Sequence, residues 1–579
     1  MKTNMKTGSP KPLDGAQALV KCLERAGVEY IFGIPGGVTI PIFDALVTTG
    51  TKINFVLVRH EQGACHMADG YARATGRPAV VCATSGPGAT NTITGIMTAH
   101  MDSVPMIIVT GQVVTGMLGK DAFQEADMFG ISMPIVKHSY LVKNTNDIPR
   151  VVKEAFHVAT TGRPGPVLID MPKSTSASPC TVDLDQPMDI PGYHPYPDKM
   201  DLGAIERMAH ALKRSRRPLL LVGHGTVISG ASSAVKELAE KLNAPVANTL
   251  LGKGGFPESH RLSLGMLGMH GTAYANKAVI DCDLILSIGS RFDDRIIGQP
   301  DRFCPHAVKM HIDVDPSEIG KMIKPDIHCI GDAKGIVEEL AGRVGRLDTK
   351  EWLERLDGYR RKYPLHYGKQ GGLKVQHIVD ELYRLTEGKA VVVTDVGQHQ
   401  MWTAQFYKVD RPNNWLSSGG AGTMGYGFPA AIGAQFGRPK ELVVGISGDG
   451  GFQMTMAELA TACNHKLPVK VLVMNNHYLG MVRQWQELFY DDRKSGVDLE
   501  GNPDFAEIAD AYGALGLRLK RPADVRKILT RALEHRGGPC VVNCEVVKED
   551  NVFPMVPAGK PLEEMIIDPP RRKKKATAK

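Results

Sequence analysis

Gly448-Asp449-Gly450, followed after 24 residues by Asn475-Asn476, is the spacing with the most chemistry in this chain. LVVGIS (442–447) reads as a buried strand and GDGGF as a turn whose glycines permit positive φ and close backbone approach. MAELATACNH (456–465) then reads as a helix whose free N–H groups face any bound diphosphate. VKVLVMN (469–475) is a second strand, ending at the asparagine pair. Asp449 and Asn476 therefore stand at the carboxyl ends of two parallel strands, where ligands of open α/β sheets bind. A carboxylate, an amide oxygen, a backbone carbonyl and two phosphate oxygens would complete the octahedral oxygen shell of Mg2+.

Two further groups of residues sit in similar places. Glu61, in VRHEQGACHMADGYARATG, follows the apolar run FVLV (55–58) and opens a helix. An acid there offsets the helix dipole, which is its ordinary role. In the middle of the chain GSRFDDR (289–295) and HIDVDP (311–316) follow strands, and GMHGT (268–272) fits a glycine turn onto a helix. Acids at strand ends hold ribose hydroxyls and glycine turns admit phosphates, so this block reads as Rossmann-like with a candidate nucleotide site. GHGTVISG (223–230) lacks the third glycine of the dinucleotide fingerprint and is weak by itself.

The elements that must position these residues alternate along almost the whole chain. Short runs such as AVVCAT (79–84), PMIIVT (105–110), PLLLVG (218–223), DLILSIG (283–289) and AVVVTD (390–395) are separated by helical patterns. The class is α/β, with doubly wound parallel sheets. The Pro- and Asp-rich stretch 182–201 and the charged stretch 359–374 read as linkers, and 579 residues exceed one hydrophobic core. Three domains are expected, at 1–185, 200–360 and 372–560, followed by a basic, disordered tail at 561–579. Arg571, Arg572, Lys573, Lys574, Lys575 and Lys579 carry six of the seven net positive charges, so no basic domain face and no nucleic-acid partner are implied. The ten cysteines have no pairing rhythm. Cys540 and Cys544, on one strand, would lie roughly 13 Å apart at ~3.3 Å per residue. A reducing cytoplasm is the expectation, with no membrane span and no signal core.

Taken together these strings resemble one family. GDG with the asparagine pair resembles the diphosphate-binding motif of thiamine-diphosphate enzymes. IFGIPGG (31–37), the Glu61 string, TSGPGATN (84–91), DAFQE (121–125), GRPGPVLIDMPK (162–173), DVGQHQMW (395–402), SSGGAGTMGYGFPAAIGA (417–434) and MNNHYLGMVRQW (474–485) are similar to the acetohydroxyacid (acetolactate) synthases within that group. The resemblance covers about residues 12–560. It implies three domains of the thiamine-diphosphate-enzyme type: an N-terminal pyrimidine-binding, a central FAD-binding and a C-terminal diphosphate- and Mg2+-binding domain. Asp449, Asn476 and the carbonyl of Tyr478 would ligate the metal. Gln398, His399, Gly422, Met424, Asp449, Gly450 and Asn476 would contact thiamine diphosphate, and Glu61 would act on its aminopyrimidine ring. Gln124, Lys173 and Arg295 complete the implied catalytic set, with Gly37, Phe123 and Trp485 along the substrate approach. FAD would touch Arg163, Met269, His270, Gly271, Gly289, Arg291, Asp313 and Asp332.

The activity so implied is decarboxylation of pyruvate on thiamine diphosphate and transfer of its two-carbon unit to a second 2-oxo acid, in branched-chain amino-acid biosynthesis. Pyruvate as acceptor gives 2-acetolactate and 2-oxobutyrate gives 2-aceto-2-hydroxybutyrate. Arg295 would hold the acceptor carboxylate, since a planar guanidinium matches it bidentately. A homodimer or homotetramer and a separate small regulatory subunit are implied as partners. The alternative from another class is an oxidoreductase of the pyruvate oxidase type, using the same FAD and thiamine diphosphate. The chain departs from the family pattern at Val114 and Gly116, where many relatives carry Pro and Arg, and at Val38, where Ala is common.

Overall fold

The computed structural model describes residues 12–368 and 370–568. These fall into two compact units that divide between Pro195 and Tyr196. The charge run 571–579 lies outside the described residues.

The first unit is one six-stranded parallel sheet, in the order β2-β1-β3-β4-β6-β5. Its strands are β1 (Tyr30–Ile34), β2 (Asn54–Leu57), β3 (Ala79–Ala83), β4 (Met106–Gln112), β5 (His138–Leu141) and β6 (Pro166–Pro172). β3, β4 and β6 are buried along their whole length, as strands covered by helices on both faces must be. The helix Glu61–Thr75 starts where the His60 side chain accepts from the Gln62 N–H (3.1 Å) and stops at Gly76, whose φ of 72° suits a residue without Cβ.

The second unit holds two more parallel sheets. The central one runs β12-β11-β10-β7-β8-β9, with β7 (Pro218–Val222), β8 (Val246–Asn248), β9 (Ser263–Met266), β10 (Leu284–Ile288), β11 (Val308–Asp313) and β12 (Ile327–Ile330). Side chains alternate between its faces: Leu220 and Val222 enter one core, Leu219 and Leu221 the other. The last sheet runs β14-β13-β15-β16-β18-β17, with β13 (Val391–Thr394), β14 (Trp415–Ser417), β15 (Val443–Gly448), β16 (Lys470–Asn475), β17 (Leu515–Leu519) and β18 (Cys540–Glu545). Cys540 and Cys544 lie on β18, and all ten cysteines are free.

Each sheet reverses its winding beside its first strand, which opens a crevice at the carboxyl ends of two neighbouring strands. The crevices fall between β1 and β3, between β7 and β10, and between β13 and β15. Two local expectations are corrected. The helix after β15 begins at Asp449 itself (Asp449–Thr455), not at Met456, because the glycines there are used for contact and not for positive φ. Residues 561–566 do not form a free tail: Leu562 is buried with the central sheet's core, and Met555 pairs with Ile566. Apolar Leu562 and Met565 fill against the helix Ala273–Asp281. No helix among the described residues is long and apolar enough to cross a membrane.

Candidate active site

The crevice between β13 and β15 collects most of the predicted thiamine-diphosphate residues. Asp449 is buried and accepts three hydrogen bonds, from Gly450 N (3.1 Å), His477 N (2.8 Å) and Asn502 Nδ2 (2.8 Å). Burial nevertheless lifts its carboxyl to about 6. Asn476, at the end of β16, accepts from Tyr478 N at 3.1 Å. The glycines around them mark close approaches. A Cβ on Gly448 would lie 3.0 Å from the His399 ring, and one on Gly451 would lie 2.4 Å from Asp395 Oδ1. On Gly450 it would meet Leu479 at 2.9 Å and the Met424 methyl at 3.4 Å. On Gly480 it would fall between Gln398 Oε1 (2.2 Å) and Asn476 Nδ2 (2.8 Å). Gly422 has a φ of 61° with nothing within 4 Å of its Cβ position.

Two buried polar atoms here have no hydrogen-bond partner: Gln398 Oε1 and His399 Nε2. Burial holds the imidazole neutral, pushed down to about 3. A carboxylate, a side-chain amide and unsatisfied polar atoms around a strand-end crevice fit a divalent cation carrying a diphosphate. No three His, Cys, Asp or Glu side chains cluster among the described residues, so the cation would depend on Asn476, the Tyr478 carbonyl and ligand oxygens as well as Asp449.

In the first unit Glu61 is buried at the carboxyl side of β2. Asn91 Nδ2 donates to its Oε2 at 3.0 Å, and its Oε1 lies 3.2 Å from the Cβ position of Gly88. Gly86 in the same loop abuts Gln124, whose Cβ lies 2.9 Å from the Gly86 Cβ position. Gln124 itself has φ 60°, held in a loop that Glu125 closes by accepting from Ala122 N (3.0 Å) and Gly119 N. Phe123 is 89% exposed. The Gly36-Gly37 loop after β1 packs on Thr84, and the exposed Lys173 follows β6. The Thr84 and Ser85 hydroxyls are buried without partners. Arg163 lies apart from this group: it precedes β6 and donates to Ser103 Oγ (2.9 Å), at the amino ends of β4 and β6.

In the central sheet Met269, His270, Gly271, Gly289, Arg291, Asp313 and Asp332 all lie at carboxyl ends of strands. Gly289 (φ 61°) packs backbone to backbone on Gly223 and Gly225 at the carboxyl ends of β7 and β10. His270 is buried and pushed down to about 4, with Nδ1 unpartnered. Asp313 accepts from Asp315 N at 3.0 Å. Asp332 is occupied as the cap of the helix Ala333–Arg343, accepting from Lys334 N and Gly335 N.

Arg295 and Trp485, 190 positions apart, meet: the guanidinium lies 5.9 Å from the indole centroid. Arg295 Nη1 also lies 3.6 Å from Met269 Sδ, and Phe489 packs edge-on against Trp485 at 5.8 Å. Sequence reasoning passed over four residues that organise these sites. Asn91 fixes Glu61, Asn502 reaches Asp449 from 53 residues away, and Gln484 bonds Gln398. Asp395, lifted to about 6 by burial, accepts from Val396, Gly425 and Gly427 N–H groups and so folds the Met424 loop. Asp395 was signalled by its place at the end of AVVVTD; the others lie in loops or helices with no period to reveal them.

Three family descriptions match in order: the N-terminal TPP binding domain of thiamine pyrophosphate enzymes over residues 13–131, the central domain over 205–340 and the C-terminal TPP binding domain over 395–544. The acetolactate synthase large subunit of Haemophilus influenzae is 44% identical over 97% of this chain and 99% of its own length. The chain belongs to the acetolactate synthase family of thiamine-pyrophosphate enzymes. The isozyme 3 large subunit of Escherichia coli is 44% identical over 96% of this chain and 98% of its own. An acetolactate synthase of Mycobacterium bovis is 46% identical over 96% and 91%. These family relatives support the synthase reading and not the pyruvate oxidase alternative.

Proposed function

We propose that this chain is the catalytic large subunit of an acetolactate synthase, joining pyruvate to a second pyruvate or to 2-oxobutyrate with loss of carbon dioxide. The cofactors are thiamine diphosphate, Mg2+ and FAD. When bound, thiamine diphosphate supplies the carbon nucleophile and electron sink that decarboxylation requires. Glu61 holds a proton at Oε1 for the aminopyrimidine ring, while Asn91 fixes Oε2. Asp449, Asn476 and the Tyr478 carbonyl hold the cation. Met424, Leu479 and Leu499 wall the crevice at Gly450 and exclude water. Gly37, Phe123, Gln124 and Lys173 line the donor's approach. The overall reaction is redox-neutral, so FAD has no electrons to carry and serves the central crevice as a structural ligand. Met269, His270, Gly271, Gly289, Arg291, Asp313 and Asp332, with Arg163, are its proposed contacts. Domains at 1–185, 200–360 and 372–560, a homodimeric or homotetrameric assembly, a separate small subunit and a cytoplasmic location belong to the same reading.

The observation that carries the carboligase reading is the meeting of Arg295 with Trp485. A guanidinium matches the carboxylate of an acceptor 2-oxo acid, and an indole beside it packs on the alkyl group. Trp485→Leu should erode selection for 2-oxobutyrate over pyruvate. One methylene in an apolar pocket is worth roughly 1–3 kcal/mol, or about 10–200-fold. Pyruvate decarboxylation should persist, because donor activation lies at Glu61. Competition of the two acceptors at fixed pyruvate reads the product ratio; an unchanged ratio in the folded variant would place selectivity elsewhere.

A further inference from the structure

Gln398 cannot offer the cofactor site a donor. Its Nε2 faces two acceptors, Gln484 Oε1 and the Asp550 carbonyl, each at 2.8 Å. The orientation of Gln484 is itself fixed, because its Oε1 accepts from Val552 N (2.8 Å) and its Nε2 donates to Val552 O (3.1 Å). A backbone N–H only donates and a carbonyl only accepts, so neither amide can be reversed without losing both bonds. Both amide hydrogens of Gln398 are spent, and what remains is Oε1, buried, unpartnered and beside Gly480 and Asn476. An ionised diphosphate presents only acceptors and gains nothing from that oxygen.

We propose that Gln398 Oε1 accepts a hydrogen bond from a water in the cation's shell, and that Gln484 is the positioning residue that aims it. This rests on the reading of Asp449 and Asn476 as the cation site. Gln484 does so by binding Gln398 to the segment 550–556 that follows β18. That strap is tied on three sides. Arg483 and Gln484, on the helix that carries Trp485, hold Asp550 O, Val552 N and Val552 O. Gln405 Nε2 donates to Phe553 O at 3.3 Å, and Val556 N donates to Met269 O at 2.8 Å. One network thus joins the cation site, the acceptor-side helix and the glycine turn of the central sheet. An error in Gln484 would be felt first in the cation's shell, since the hydrogen bond it sets lies one atom from the metal.

A double-mutant cycle on the full-length protein tests this, with Mg2+ binding read by tryptophan fluorescence of the apoenzyme at saturating thiamine diphosphate. Gln398→Leu and Gln484→Leu should each raise half-saturating Mg2+ by about tenfold or more, the scale of a lost outer-shell partner. Combined, they should do no worse than the poorer single variant, because both break one interaction. Gln484→Glu should stay within about threefold of the parent, since a protonated carboxyl offers the same acceptor and donor pair. Multiplying effects in the double variant, or an unchanged Mg2+ requirement in Gln484→Leu, would overturn the proposal. Should Gln484→Leu not fold, equal losses in Gln484→Glu and Gln398→Leu would overturn it, and a loss in Gln398→Leu alone would support it. Asp449→Asn separates the two failures. If it abolishes Mg2+ binding while Gln398→Leu does nothing, only the role of Gln398 falls; if it too binds normally, the cation site itself is misplaced.

Discussion

The crevices of the central and the last sheet both open at the carboxyl ends of parallel strands beside the sheet's first strand, and they are built in opposite ways. Between β13 and β15 the space is ringed by polar side chains, buried but for the half-buried Asn476, and Asp395, Gln398, Asp449 and Asn476 have their orientations set by named partners. Between β7 and β10 glycine backbones meet, with Gly223, Gly225 and Gly289 too close for any Cβ. The acids nearest the second crevice are partly occupied by local turns, Asp313 with Asp315 and Asp332 with its helix. Crevices of one kind, at strand ends, are thus lined by polar side chains in the last sheet and by close-packed glycine backbone in the central one, as the proposed diphosphate and nucleotide sites would require. Loss of function in the first should follow chemistry, and in the second, shape.

The largest effect should come from Asp449→Ala. It removes the proposed cation ligand and strands the Gly450, His477 and Asn502 donors, so turnover at fixed Mg2+ should fall by more than about 100-fold. An unchanged half-saturating Mg2+ in the folded variant would show that the side chain is not a ligand. Gly289→Ala should act through shape. Its Cβ would lie 2.6 Å from Gly225 Cα at a φ of 61°, so thermal stability and FAD retention should fall together, by about 1–3 kcal/mol or more. Gly422→Ala, at the same φ but in open space, should cost only about 1 kcal/mol. Equal losses in the two glycine variants, read from melting curves with and without FAD, would erase the contrast.

The smallest effect concerns pH. Burial raises Asp395 from 3.8 to about 6, so the fold favours its protonated form. Its contribution is complete below about pH 4 and is lost as pH rises through 6. The stability advantage of the parent apoprotein over Asp395→Asn should therefore be greatest near pH 4–5 and shrink by pH 7. A constant difference across that range would mean that the acid is not strained in the fold.

Much of this was legible before any coordinates. Buried parallel strands announce themselves as runs such as AVVVTD and PLLLVG, because both faces are covered and nothing polar interrupts them. The strand-end acids and asparagines followed from that reading. What the chain did not reveal was the long-range pairing. Asn502 reaching Asp449 and Gln484 reaching Gln398 are amides in irregular or amphipathic segments, where Asn and Gln usually face solvent. The GDG glycines were read as turn residues, yet their φ values are ordinary and their use is contact with His399, Leu479 and Asp395. Asp332 shows the converse, a strand-end acid with one oxygen given to capping its own helix.

The central claim is carbon–carbon bond formation without net oxidation, and one stoichiometry tests it. Purified protein with thiamine diphosphate, Mg2+, FAD and pyruvate is followed for carbon dioxide, acetolactate and dissolved oxygen together. The account predicts one carbon dioxide and one acetolactate for every two pyruvates, with no oxygen consumed in proportion. Acetate formed with matching oxygen uptake, and no acetolactate, would contradict it and make the chain an oxidase.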